Sequence, residues 1–164
     1  MSTVTILPWA DPLIDRAGHD PRSVYAERYW LSVIGPTAGW IMRRLADLFD
    51  EFPEGFELDL VHTATTMGLS YERGPASPFG RALNRCVMFG LAHPHSAGFA
   101  VRRRLPEVAH RHLLRLPEDV RGDHDAWRRR TAEVDVHEME RTLREIGISP
   151  AAAARACEAA ALAS

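Results

Sequence analysis

The segment SPFGRALNRCVMFGLA, residues 77–92, carries the clearest structural pattern in this chain of 164 residues. Ser77 followed by Pro78 is typical of a helix start, because serine caps the first free N–H groups and proline fits the first helical turn. At about 100° per residue, one side of the predicted helix over 78–91 is apolar, with Phe79, Ala82, Leu83, Cys86 and Val87. The opposite side carries Arg81, Asn84, Arg85 and Met88. We expect this helix to pack with one side and to offer hydrogen-bond donors on the other.

The residues before this helix predict two further helices and a strand. Apolar residues recur at helical spacing over 37–49, which indicates an amphipathic helix. Apolar and acidic residues alternate over 56–60, as in a short half-buried strand. Asp59 is placed to cap the next helix, and Gly68 suits the left-handed position that ends it.

The residues after the 78–91 helix predict a two-stranded hairpin. A short strand at 91–93 is followed by a turn-rich stretch and by a returning strand over 99–105. Because side chains alternate along a strand, Arg102 and Arg104 are expected on one face. We interpret this hairpin as a wing beside the helix.

The two ends of the chain have different compositions. Residues 1–22 contain three prolines and three aspartates, which favours an irregular arm. Residues 23–116 are expected to form one domain that starts with an aromatic-rich helix over 24–34. Residues 117–164 are expected to form a helical extension that ends in an alanine-rich helix.

Charge is distributed unevenly although the net charge is only −2. Residues 1–72 carry 5 arginines and 11 acidic residues, and residues 116–164 carry 7 arginines and 10 acidic residues. Residues 73–115 carry 8 arginines and only one acidic residue, Glu107. A basic segment between acidic ones indicates a surface for an anionic partner.

The sequence offers no signature of catalysis, of a cofactor or of a metal. The motif HEMER lacks the second histidine of a zinc-protease motif, and no phosphate-binding glycine loop or serine elbow is present. The histidines of HPH and HRH have no cysteine or carboxylate at a ligand spacing. Cys86 and Cys157 are expected to be buried, small apolar side chains. We therefore expect a binding protein that is not an enzyme.

A cytoplasmic location in a bacterium fits the sequence best. The two cysteines lie far apart, and the N-terminus lacks a signal-peptide pattern. The longest uncharged stretch, YWLSVIGPTAGWIM, is shorter than the roughly 20 residues that a membrane span needs. All 20 basic residues are arginine, and the alanine-rich end is also typical of a high-GC genome.

The predicted order of helix, short strand, helix, turn, helix and hairpin across residues 37–106 resembles the winged helix-turn-helix superfamily. LVHTATTMGLS is similar to the second helix and turn of such domains, and RALNRCVMFGLA is similar to their third helix. The segments YAERYWLSVIGPTAGWIMRRL and FAVRRRLP also look like an uncharacterised protein family of high-GC bacteria. The resemblance implies a mainly α fold, with a three-helix core and a small β-wing.

The resemblance also implies how DNA would be bound. The third helix would enter the major groove, with Arg81 and Arg85 suited to guanine and Asn84 suited to adenine. Ser77 at the helix start would meet a phosphate, and Arg102 and Arg104 on the wing would neutralise phosphates or enter a narrow minor groove. Arg73 on the preceding loop would assist. The DNA-binding set is therefore predicted as Arg73, Ser77, Arg81, Asn84, Arg85, Arg102 and Arg104.

The resulting hypothesis is a transcriptional regulator that binds specific double-stranded DNA. A homodimer is expected, because one such domain makes few base contacts, and helix 24–34 and the alanine-rich end are the candidate contact surfaces. The alternative is a protein-interaction module whose basic segment docks on an acidic partner, such as the chain's own acidic arm. No motif identifies a small-molecule effector.

Overall fold

The computed structural model describes residues 2–162, and the chain divides into two compact units between Arg115 and Leu116. The strands of the first unit are β1 (Thr3–Pro8), β2 (Phe56–Asp59), β3 (Ala92–His95) and β4 (Gly98–Val101). Its α-helices are α1 (Pro12–Ala17), α2 (Leu31–Ile34), α3 (Pro36–Glu51), α4 (Leu60–Thr66), α5 (Pro78–Met88) and α6 (His110–Leu113). A π-helical turn at Ala26–Trp30 precedes α2, and a 3₁₀ turn at Gly74–Ala76 precedes α5. The second unit contains α7 (Glu118–Glu145) and α8 (Pro150–Leu162).

The four strands form one mixed sheet in the order β2-β1-β4-β3. Strand β1 is antiparallel to β2, with Thr3 opposite Asp59, and parallel to β4, with Thr5 opposite Gly98. Strands β3 and β4 form an antiparallel hairpin. The predicted mainly α, winged helix-turn-helix fold is therefore wrong. The hairpin expected as a small wing is one half of a four-stranded sheet, and the fold is α/β.

The prediction failed at the N-terminal segment, which contains an inner strand of the sheet instead of being irregular throughout residues 1–22. Val4 and Ile6 alternate with threonine at its start, and Ile6 is fully buried. The prolines that suggested an irregular arm lie at the end of β1 and beyond it. Pro8 is the last residue of the strand, and proline is tolerated at such ends because fewer ladder hydrogen bonds are lost there.

Helices α3 and α5 supply much of the core of the first unit, and they contact each other. The predicted apolar stripe of α3 is buried at Ala38, Ile41, Met42, Leu45 and Phe49. The predicted apolar side of α5 is confirmed by the burial of Phe79, Ala82, Leu83 and Cys86. Helix α5 also contacts β3, so its orientation is fixed by both the helices and the sheet.

Capping residues define the start of α5 and both ends of α4, as the sequence predicts. The side chain of Ser77 accepts a hydrogen bond from the backbone N–H of Gly80 at 3.0 Å. Asp59 caps α4 by accepting from the backbone N–H groups of Val61 and His62, and the bond from His62 is the main reason that the pKa of Asp59 is lowered. Gly68 follows α4 with a φ of 71°, a left-handed conformation that glycine adopts without steric cost.

The second unit consists of two helices that contact each other. Cys157 and Ala153 of α8 are buried, and the Cys157 thiol lies 3.9 Å from the carbonyl oxygen of Val136 in α7. Across residues 2–162, no helix combines the length and the apolar composition that crossing a bilayer requires.

Candidate nucleic-acid interface

The polar side of α5 faces solvent, as the sequence predicts. Arg81, Asn84 and Arg85 are exposed, and Met88 is 71% exposed. Because the opposite side of the helix is packed against α3 and β3, the backbone that carries these side chains is held in place. The side chain of Asn84 has no hydrogen-bond partner among residues 2–162. Its amide therefore keeps both donors and its acceptor for a ligand.

A groove of about 880 Å³ runs beside this exposed side. It is bounded by α5, by the corner between α2 and α3, and by the loop before α5. Its polar or charged lining side chains are Thr37, Tyr71, Arg81, Asn84 and Arg85. The chain contains 22 acidic residues, but none of the described residues that line this groove is acidic. The groove therefore favours an anionic ligand.

Arg85 is held by the C-terminal end of α2. Its Nε donates to the carbonyl of Ile34 at 2.9 Å, and its Nη2 donates to the carbonyl of Val33 at 3.0 Å. These carbonyls belong to the last turn of a helix, where backbone acceptors lack partners within the helix. The contact caps α2 and fixes the guanidinium at the edge of the groove.

Arg81 is held by the turn before its own helix. Its Nη1 donates to the carbonyl of Ala76 at 2.6 Å. A guanidinium has five N–H donors, so this single bond orients the group without consuming its capacity to bind an anion. Arg73 is also exposed, and it lies directly before the 3₁₀ turn. The structure thus brings Arg81, Asn84 and Arg85 together, with Arg73 on the adjoining loop.

Ser77 lies inside the fold with 1% exposure. Its hydroxyl donates to the carbonyl of Gly74 at 2.6 Å while accepting from the N–H of Gly80. Both the donor and the acceptor of this side chain are therefore engaged in the turn that starts α5. Ser77, which the sequence predicts to contact a phosphate, therefore uses its hydroxyl to cap α5 and to hold the preceding turn.

Arg102 is engaged in the fold, and it lies beyond the end of β4 instead of within a strand over 99–105. Its Nη1 pairs with Asp11 at 2.8 Å, its Nε donates to the carbonyl of Gly90 at 2.8 Å, and its side chain is 14% exposed. The guanidinium carbon lies 3.9 Å from the centre of the Trp9 ring. Arg102 thus ties the N-terminal segment to the hairpin.

Arg104 and Arg103 bind the same N-terminal segment. Arg104 donates from Nε to the carbonyl of Gly18 at 2.9 Å, and Arg103 pairs with Asp15 at 3.4 Å. The run of arginines that suggested a wing therefore lies against the acidic residues of the chain's own N-terminus. The opposite charges of the two segments were visible in the sequence, but their pairing required the position of β1.

The pattern of the sequence did not indicate the ionic cluster around Arg22. Its guanidinium pairs with Asp20, Asp47 and Asp50 at 2.8, 2.8 and 2.6 Å. The three carboxylates, with Asp20 the largest contributor, hold the pKa of Arg22 above its ordinary value. The cluster joins the segment after α1 to the C-terminal half of α3. It is an internal connection of the first unit.

The histidines, cysteines and carboxylates of the described residues form no metal site, and Cys86 is not a reactive thiol. Among residues 2–162, no group of three or more histidine, cysteine, aspartate or glutamate side chains is arranged to hold a metal ion. Cys86 is fully buried, and burial raises the pKa of its thiol to about 12. A thiol with this pKa is a poor nucleophile at neutral pH.

The candidate site is therefore the exposed side of α5 with the groove beside it. Comparison of the chain with known protein families, with curated proteins and with solved structures found no match.

Proposed function

We propose that the protein binds double-stranded DNA through the exposed side of α5 and the adjoining groove. The observation that carries this proposal is the lining of the groove, which combines Arg81 and Arg85 with no acidic side chain among the residues described there. DNA carries one negative charge per about 1.7 Å of helix axis, so even a few fixed guanidinium groups attract it strongly.

The dimensions of α5 fit a major groove. Its 11 residues extend about 16 Å, and the major groove is about 12 Å wide, which admits one helix with its side chains. Asn84 projects from the middle of α5 with its amide free among the described residues, and an amide pairs with adenine through one donor and one acceptor. Arg81 lies nearly one turn before Asn84, and Arg85 follows it directly in the chain. In this arrangement Asn84 contributes base preference and the two arginines contribute affinity.

The N-terminus of α3 supports the same surface. Gly35, Pro36, Thr37 and Ala38 line the groove, and no described side chain caps the start of this 16-residue helix. The free N–H groups and the helix dipole place partial positive charge there. A phosphate that approaches Arg85 would also face this positive end.

A specific observation favours the second candidate, a protein-interaction module. The acidic N-terminal segment pairs with Arg102 and Arg103 through Asp11 and Asp15, which supports the recognition of an acidic peptide by the basic segment. A separate acidic protein would then bind the groove of α5 by the same chemistry. The two candidates differ in their response to DNA.

Fluorescence anisotropy with a random duplex of about 20 base pairs, measured over a series of salt concentrations, tests the proposal. We expect binding whose logarithmic affinity falls linearly with the logarithm of salt concentration. Arg81→Ala should reduce the slope by about 1 and weaken binding about tenfold. Arg16→Ala is the matched control, because Arg16 is exposed on α1 and does not line the groove. Absence of salt-dependent binding would contradict DNA binding. Equal effects of the two substitutions would contradict binding through the exposed side of α5.

Asn84→Ala separates base contact from phosphate contact. It should leave the salt slope unchanged and reduce the preference among duplex sequences by about 1–3 kcal/mol at adenine positions. The preference is measured by competition between selected and random duplexes. A reduced salt slope in this variant would be inconsistent with the assigned role.

We also propose that the protein is a homodimer and that it acts in the cytoplasm. The aromatic side chains of helix 24–34 that suggested a contact surface, Tyr25, Tyr29 and Trp30, are buried within the first unit. Of the two dimer contacts predicted from the sequence, the alanine-rich helix α8 is therefore the one that remains a candidate. Light scattering on the full chain tests the dimer, and a monomer at all concentrations would remove it.

A further inference from the structure

A second cavity, of about 220 Å³, shares Ile34 with the groove of α5. Its buried lining consists of Pro21, Ala26, Trp30, Ile34, Met42 and Leu105. The more exposed lining consists of Glu27, Leu31, Gly39, Trp40 and Arg43. We call this cavity the aromatic pocket. Its composition, which is apolar with a few polar groups at the entrance, is that of small-molecule sites in general.

The backbone around the aromatic pocket has an unusual conformation. Ala26, Glu27 and Trp30 belong to the π-helical turn. Such turns are rare and are concentrated at functional sites, because they place side chains where a regular α-helix does not. The indole N–H of Trp30 donates to the carbonyl of Pro106 at 2.7 Å, so this ring is a fixed wall of the pocket.

The size and charge of the aromatic pocket define the ligand that fits. A cavity of about 150 Å³ is sufficient for benzene, so about 220 Å³ holds one mono- or bicyclic ring system. Glu27 and Arg43 contribute opposite charges to the lining, and the Arg43 guanidinium lies 5.0 Å from the centre of the Trp40 ring. Because these two charges are opposite, the lining carries no net formal charge, which favours a neutral ligand.

We propose that the aromatic pocket binds a neutral mono- or bicyclic aromatic molecule, and that this molecule controls the exposed side of α5 through α2. Leu31 and Ile34 of α2 line the pocket, and the carbonyls of Val33 and Ile34 hold the guanidinium of Arg85. A ligand that moves this four-residue helix therefore changes the hydrogen bonds of Arg85. The control of DNA affinity rests on the proposed function, whereas ligand binding does not.

Isothermal titration calorimetry with indole tests the pocket in the absence of DNA. The wild-type chain should bind indole in the micromolar to millimolar range, as expected for about nine non-hydrogen atoms. Leu31→Trp places a larger side chain at the entrance and should weaken binding at least tenfold. Val24→Trp is the matched control, since Val24 is exposed outside the pocket and its variant should bind as the wild type does. Lack of indole binding, or equal affinity of the two variants, would overturn the proposal.

A second variant keeps this test decisive if Leu31→Trp fails to fold. Gly39 lines the pocket within α3, and a Cβ added there comes 3.2 Å from Cδ1 of Leu31. Gly39→Ala favours the helix and narrows the pocket, so it should weaken indole binding without loss of circular dichroism signal. Indole-3-acetate and tryptamine should bind no more tightly than indole. A charged analogue that binds at least tenfold more tightly would overturn the assignment of a neutral ligand.

A separate measurement tests whether a ligand in the aromatic pocket affects Arg85 on α5. Indole should shift the Nε–H resonance of Arg85 in the wild type and in Val24→Trp, and leave it unshifted in Leu31→Trp. It should also change the affinity for duplex DNA in the anisotropy assay. If DNA binding itself is absent, the calorimetry and the Arg85 resonance still test the pocket and its connection. Indole binding without a shift of the Arg85 resonance would overturn the regulatory part.

Discussion

The guanidinium of Arg102 pairs with the carboxylate of Asp11 at 2.8 Å while it lies 3.9 Å from the centre of the Trp9 ring. The two paired residues are separated by 91 positions in the chain. Their contact holds the N-terminal segment beside the hairpin of β3 and β4, where β1 completes the sheet. The N-terminal segment thus neutralises part of the basic segment, whereas Arg81 and Arg85 on α5 remain exposed.

Arg102→Ala is expected to lower the free energy of unfolding by about 1–3 kcal/mol, because it removes the hydrogen bond to Gly90, the pair with Asp11 and the packing on Trp9. Urea denaturation measures this difference. Arg103→Ala is the control, since its pair with Asp15 is longer, at 3.4 Å, and its side chain is 40% exposed. The control should cost less than about 1 kcal/mol. Equal losses in the two variants would contradict a structural role specific to Arg102.

Stability is expected to fall in acid partly through Asp20. The hydrogen bond from Arg22 is the main cause that lowers the pKa of Asp20 below its ordinary value of 3.8. A carboxyl whose pKa is lower in the folded state contributes stability above the unfolded value, and this contribution is lost as the pH falls through the folded value. Urea midpoints measured from about pH 6 down to about pH 2 should therefore decrease, and Asp20→Asn should flatten the profile. A variant profile parallel to that of the wild type would rule out this contribution.

Cys86 is expected to resist thiol reagents in the folded protein. The side chain is fully buried, and desolvation raises the pKa of its thiol to about 12. In a Cys157→Ala background, a disulfide reagent should modify Cys86 only at the rate at which the protein opens, and urea should accelerate the reaction. Complete modification of the native protein within the mixing time would show that the core around α5 is open.

Gly98→Ala is expected to disrupt the parallel pairing of β1 and β4. A Cβ at this position would overlap the backbone carbonyl oxygen of Thr5, so the two strands must separate. We expect a loss of about 1–3 kcal/mol in the free energy of unfolding. Gly122→Ala is the matched control, because it lies in α7, where an added Cβ has no neighbour within 4 Å among the described residues. Helix propensity should make that variant more stable by about 1 kcal/mol. Thermal denaturation of both variants distinguishes steric conflict from a general effect of alanine.

The sequence alone determined the elements whose signals are local. Capping chemistry at Ser77 and Asp59 started α5 and α4 at the predicted residues, and helical spacing identified the buried side of α5. The exposed positions of Arg81, Asn84 and Arg85 follow from the same spacing. These features depend on neighbours within one or two turns, so a linear pattern contains them.

Only the tertiary structure decided how the strands combine and which residues engage Arg102, Arg103 and Arg104. β1 joins β4 across about ninety intervening positions, and no local pattern in a six-residue strand specifies a partner so distant. That pairing brings the acidic N-terminal segment against Arg102, Arg103 and Arg104, and it changes a predicted wing into half of a sheet. Local spacing determines which side of a helix or strand is apolar. Long-range packing determines which distant elements that side contacts and which groups its charged residues bind.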